Sequence, residues 1–154
     1  MDVRFEHNLR TRDFFIKLME ELSTEQLNKV PTGFSNNIIW NIVHCMTTQQ
    51  GLTYGLSGLE QNVPKELAQQ YKNGTTPERD MSAKEIKGFK NQLKPLLQKT
   101  AADYEAGKFK TYQEYTTSTG YTLRNIDEAL NLVSLHEGIH LGYALALKKA
   151  LIAN

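Results

Sequence analysis

The sequence predicts an all-α fold: a four-helix bundle with a long irregular segment before the last helix. Three observations predict it. Apolar residues recur at helical spacing in four long stretches, capping signals stand ahead of two of them, and no stretch shows a convincing strand-like alternation. The 154 residues suit a single domain with a real core, and neither a repeat nor a linker divides them.

The first helix is expected from about Asp2 to Leu22, with Val3, Phe14, Leu18 and Leu22 on one side and Phe15 beside them. Ser23-Thr24 and Pro31-Thr32-Gly33 break that pattern. The Ser35-Asn36-Asn37 cluster can cap a second helix running through Ile38, Ile39, Trp40, Ile42, Val43 and Met46, which fades between Gly51 and Gly58. This stretch is apolar on most sides, which makes it the central helix. A loop follows, with a short helix around Pro64 to Tyr71 that ends at Asn73-Gly74. Ser82 and Glu85 form a capping box that opens a third helix, whose core stripe is Ile86, Phe89, Leu93, Leu97 and Tyr104. Pro95 is expected to kink or split it. The Tyr- and Thr-rich segment from Gly107 to Gly120 reads as loop in preference to a hairpin, and the last helix runs from about Leu123 to Ala153.

Composition narrows function. Hydrophobic residues at 40% and charged residues at 23% are ordinary for a globular domain. Eighteen Lys and Arg against 17 Asp and Glu leave a formal charge of +1. That balance provides no field for nucleic acid or an anionic membrane. Lys84, Lys87, Lys90 and Lys94 recur at helical spacing and read as a solvated face. The single cysteine, Cys45, excludes an internal disulfide framework and fits a cytoplasmic setting. It reads as a buried small residue. The N-terminus lacks an apolar signal core, and no apolar run approaches the ~20 residues that span a bilayer.

Chemistry is hinted at by four histidines, His7, His44, His136 and His140. On the last helix His136 and His140 lie about 40° apart in projection, one turn apart on the inward stripe. Two imidazoles at that spacing can hold one metal ion, and paired core histidines need something to satisfy their nitrogens. His136-Glu137-x-x-His140 also reads as a zinc-protease motif, but residues 141–154 contain no His, Asp, Glu or Cys for a downstream third ligand. An upstream ligand is needed, and His44 is the better candidate. Its neighbours in projection include Asn37, Trp40, Asn41 and Thr48, so the second helix presents one polar face toward an interior cavity. His7 projects near Val3, Phe14 and Leu18 and reads as a structural histidine of the interior.

The run Asn36-Asn37-Ile38-Ile39-Trp40-Asn41-Ile42-Val43-His44, followed about ninety residues on by His136-x-x-x-His140, resembles the DinB-like superfamily of damage-inducible and YfiT-like four-helix-bundle metalloproteins. The resemblance spans nearly the whole chain. It implies that His44, His136 and His140 form a three-histidine site for a divalent metal, usually nickel or zinc. It also implies a homodimer and, as in some relatives, a low-molecular-weight thiol as cosubstrate. Relatives often carry Gly and Gln after the second histidine of the last helix, where this chain has Leu141-Gly142-Tyr143.

Three neutral imidazoles leave open positions on a divalent metal, which suits activation of water for hydrolysis or of a thiol for S-transfer on a small molecule. Glu137 is the candidate base or the partner that orients an imidazole, against the alternative of a solvated helix glutamate. Asn37, Trp40, Thr48 and Tyr143 are the candidate pocket-lining residues. A non-catalytic metal- or ligand-binding protein of a stress response is the alternative function, and a helical interaction protein with core histidines is a third.

Overall fold

The computed structural model describes residues 1–152. Six α-helices form in chain order: α1 (Val3–Glu21), α2 (Thr24–Asn28), α3 (Ile38–Gln50), α4 (Lys65–Gln70), α5 (Ala83–Glu105) and α6 (Ile126–Ile152). The four long ones, α1, α3, α5 and α6, make the bundle. Helix α1 packs on both α5 and α6, α3 packs on α6, and α3 and α5 meet more sparingly. The end expected for the last helix at Ala153 lies outside the described residues.

Local chemistry explains where the helices begin. The Asp2 carboxylate caps α1 by accepting from the Arg4 N–H, and Asn37 caps α3 by accepting from the Trp40 N–H at 2.8 Å. Ser82 and Glu85 form the expected capping box on α5. A second box, Ser23 with Gln26, opens the short α2 in a segment that reads only as a break in the sequence. Gly107, at φ +65°, ends α5 in a Schellman motif: the Lys108 N–H reaches the Asp103 carbonyl at 3.0 Å and the Gly107 N–H reaches the Tyr104 carbonyl at 2.9 Å.

Pro95 neither splits nor ends α5, which runs through it. The ring sits on the exposed side, and the carbonyl one turn earlier belongs to exposed Asn91, where water can replace the missing N–H. The Tyr- and Thr-rich segment also departs from expectation. Tyr115–Thr116 and Thr122–Leu123 pair antiparallel as β1 and β2 in a small hairpin. Gly120, at φ +82°, supplies the positive φ its turn requires.

Every residue of α3 except Thr48 is buried, which confirms its central place. Ile38, Ile42, Val43 and Met46 join Phe15, Leu18, Leu93 and Leu147 in the main core. Each fully buried aliphatic or aromatic side chain there contributes roughly 1.5–3 kcal/mol. Helix α3 continues into a π-helical turn, Gly51–Gly55.

The buried face of α1 is the expected one at Phe15 and Leu18 but not at Val3 and Phe14. Val3 and Phe14 are 57% and 54% exposed, whereas Phe5, Asn8, Arg12, Phe15, Leu18 and Met19 are buried. His7 is likewise exposed, so it does not belong to the interior. The cause is Arg12, fully buried between helices. Its guanidinium pairs with Glu137 of α6 at 2.7 Å and donates to the Leu93 carbonyl of α5. The Lys stripe on α5 is a surface face: Lys84 and Lys87 are exposed, while Lys90 pairs with Glu20 of α1 at 3.1 Å and Lys94 with Asp13 at 2.7 Å.

Candidate metal centre

Three histidines converge where α3 faces α6. His44 lies near the middle of α3, and α6 offers His136 and His140 from successive turns, as the four-residue spacing requires. One ligating atom from each lies within 4.8 Å of the others, a cluster that could hold a metal ion. His44 Nε2 stands 3.1 Å from His136 Nε2, and the three ring centroids are 4.4–5.0 Å apart.

Neighbouring groups decide which nitrogens are available. His44 Nδ1 lies 2.6 Å from the carbonyl of Tyr71, the residue that ends α4. A carbonyl only accepts, so Nδ1 carries the proton and Nε2 keeps its lone pair. The terminal carbonyls of a helix lack partners within it, so α4 has this acceptor to offer. For His140 the chain of reasoning runs through Asn41. The Asn41 amide nitrogen donates to the Asn37 carbonyl at 2.8 Å, which fixes Oδ1 as the atom 2.7 Å from His140 Nδ1. His140 Nδ1 therefore donates, and its Nε2 is also a free acceptor. Two of the three imidazoles are thus held in the tautomer that keeps the Nε2 lone pair, in a cluster whose ligating atoms lie within 4.8 Å of one another. Two neutral Nε2 acceptors beside a third imidazole make a nitrogen donor set that suits a divalent metal.

Electrostatics agree with a neutral donor set. Burial pushes His136 down to about 3, with the neighbouring His140 and His44 adding to the effect. Burial and His44 lower His140 to about 4. Burial lowers His44 as well, against the pull of the Tyr71 carbonyl. Imidazoles that resist protonation keep their lone pairs for a metal at neutral pH.

The histidines form one wall of a cleft of about 1000 Å³, near the upper end of ordinary ligand sites. Trp40 and Thr48 line it: the Trp40 ring stacks on His44 at 4.7 Å, 9° from parallel, and the Thr48 hydroxyl lies 3.4 Å from His44 Nδ1. Asn37 does not line it. Both ends of its amide are engaged, one capping α3 and the other donating to the Asn28 carbonyl at 2.7 Å. Tyr143 lies outside the cleft too, half-exposed with its ring edge-on to Phe34 at 5.6 Å. Glu137 is turned away from the histidines, since adjacent helical residues point about 100° apart. It is fully buried in the pair with Arg12, neither solvated nor near the cleft. Burial pushes its carboxyl up, opposed by the Arg12 charge. Burial raises the Cys45 thiol as well, consistent with an inert core residue.

Two contributions escaped sequence reasoning. Asn41 and the Tyr71 carbonyl set the histidine tautomers, and residues of the turn at 72–76 and of the hairpin at 115–119 line the same cleft. For Asn41 the signal was its place on the polar face of α3; for the turn and the hairpin, only their Thr-rich composition.

The model of the DinB superfamily matches residues 8–144. The chain belongs to this superfamily. No curated protein gives a significant match. Superfamily membership and the three-histidine cluster together fit a metal-binding protein. No helix among the described residues is long and apolar enough to cross a membrane.

Proposed function

We propose that this DinB-superfamily protein is a divalent-metal-dependent enzyme that transfers a small thiol to, or hydrolyses, a small molecule bound in the cleft, with His44, His136 and His140 as ligands for nickel or zinc. The observation that carries the reading is the pair of preset Nε2 acceptors, with His44 Nδ1 held at 2.6 Å by the Tyr71 carbonyl and His140 Nδ1 at 2.7 Å by Asn41. A bound divalent cation supplies Lewis acidity that lowers the pKa of water or a thiol. The chain's own part is to hold three imidazoles neutral, to orient two of them through Tyr71 and Asn41, and to wall the cleft with Trp40 and Thr48.

Within this reading, S-transfer is favoured over hydrolysis. Glu137, the carboxylate beside the histidines in sequence, is spent in the Arg12 pair, and no carboxylate lines the cleft among the described residues. Hydrolysis usually enlists a base, whereas a thiol made acidic needs none once ionised. The same lack of a positioned base favours the second reading, a non-catalytic metal- or ligand-binding protein of a stress response. A homodimeric state and a cytoplasmic setting go with the superfamily reading and are proposed with it.

The test is turnover. Zinc- or nickel-loaded protein is mixed with a small thiol and a panel of small electrophiles, with His136→Ala as control. The proposal expects a thioether product whose rate depends on both metal and His136. Bound metal with no turnover across the panel refutes it in favour of the non-catalytic reading.

A further inference from the structure

The walls of the cleft differ in character, and their charge is one-sided. Among the described residues that line it, Lys72 on the rim is the only formally charged side chain besides the neutral histidines, and no aspartate, glutamate or arginine takes part. One wall is apolar. Leu135 and Ile139, one turn apart on α6, are each 61% exposed and both line the cleft, with Leu132 beside them. Two large apolar side chains one turn apart at a cleft give a ligand a small apolar surface to lie on. Hydroxyl groups also line the cleft, Thr75 from the turn after α4 and Thr117 and Ser118 from the hairpin. The Lys72 ammonium stands with them, bonded to Gln69 Oε1 at 3.0 Å.

We infer that the cleft takes an amphipathic small-molecule anion, with its anionic head at the histidine cluster, its apolar part along Leu135 and Ile139, and Lys72 at the rim adding to the selection for negative charge. The inference rests on the proposed function, since a divalent ion at the histidines supplies most of the positive potential. In a partly desolvated cleft without carboxylates, one nearby positive charge separates an anion from a cation of equal size by roughly tenfold. A volume of about 1000 Å³ is far beyond what a single water or a two-carbon acid fills.

The molecule carries its own reporter. Trp40 is the one tryptophan of the sequence, and it lines the cleft against His44. Its emission can be titrated with octanoate, octylammonium and acetate, in zinc-loaded and metal-free protein. We expect octanoate to bind at least tenfold more tightly than octylammonium in the loaded protein, and still more tightly, by a smaller factor, in the metal-free one. Lys72→Glu should narrow that gap in both forms. Ile139→Asn should weaken octanoate several-fold and leave acetate unchanged. Both positions are exposed, so the fold is not at stake. Octylammonium binding as tightly as octanoate, or octanoate binding that is indifferent to both substitutions, overturns the inference. A protein that takes up no zinc yet keeps the octanoate preference refutes the proposed function and sustains this inference; one that takes up zinc and binds both probes alike does the opposite.

Discussion

Arg12→Met removes the cation paired with Glu137 and leaves a carboxylate with no exposure among apolar neighbours. Four contacts disappear together: the 2.7 Å bond to Glu137 Oε1, the forked bonds from Nε to the two carboxylate oxygens at 3.2 and 3.4 Å, and the bond to the Leu93 carbonyl. Breaking a buried pair from one side costs about 3–5 kcal/mol, because the surviving charge stays desolvated. For a domain of this size that lowers Tm by roughly 6–20 °C. Urea unfolding at pH 7 measures the loss, and pH gives a second handle. Burial already raises Glu137, and without Arg12 nothing opposes it. A folded-state carboxyl raised above its unfolded value of about 4.3 binds a proton that unfolding would release, so the variant's deficit relative to the wild type should shrink as pH falls from 8 toward 5. The double substitution Arg12→Met with Glu137→Leu should recover most of the loss at pH 7, since it leaves no unpaired charge. A single variant that loses less than 1 kcal/mol and whose deficit does not shrink on acidification would refute this account of the core.

Other outcomes follow from the same geometry. Asn41→Leu deprives His140 Nδ1 of its acceptor and should weaken zinc roughly 10–100-fold in a competition titration; unchanged affinity would mean that the 2.7 Å contact does not orient the imidazole. The metal-free protein should lose about 1–3 kcal/mol between pH 7 and pH 5, after allowance for partial exposure. His136 and His140 stay neutral when folded, down to about 3 and about 4, while the unfolded chain takes up protons below about 6.5. Stability that holds flat or rises on acidification would contradict the sign. Ser82→Ala should cost about 1 kcal/mol of unfolding free energy through loss of the α5 capping box, and no loss would mean that the cap is replaced.

The parts legible in the sequence are those fixed by local chemistry. The Ser82–Glu85 box, the Asn cluster ahead of α3 and the four-residue spacing of His136 and His140 act within a turn or two of chain, so their signals survive without tertiary knowledge. The face of α1 is only partly legible, for the opposite reason: Phe15 and Leu18 are buried as their spacing predicts, Val3 and Phe14 are not. Arg12 and Asn8 sit on the buried stripe, and a polar residue reads as solvent-facing until its partner is known; the partner of Arg12 is 125 positions away. Glu137 has the same history from the other side. Its neighbours in sequence are metal-ligand candidates, yet one residue of helical rotation takes it off the cleft and into the buried pair with Arg12. The hairpin at 115–123 depends on two-residue strands, too short for an alternating pattern to show. Asn41 stood on the polar face in projection, but its role as the group that fixes a tautomer depends on a contact across 99 positions.

The most direct test of the central claim, that His44, His136 and His140 form one divalent-metal site, is equilibrium titration of metal-free protein with zinc or nickel, read as bound metal per chain, for the wild type and for His44→Ala and His136→Ala. The account predicts about one tightly held ion per chain in the wild type, a loss of affinity of two orders of magnitude or more in each variant, and a wild-type Tm that rises with metal while the variants' does not. Wild-type protein that binds no ion, or variants that hold it as well as the wild type, would contradict it.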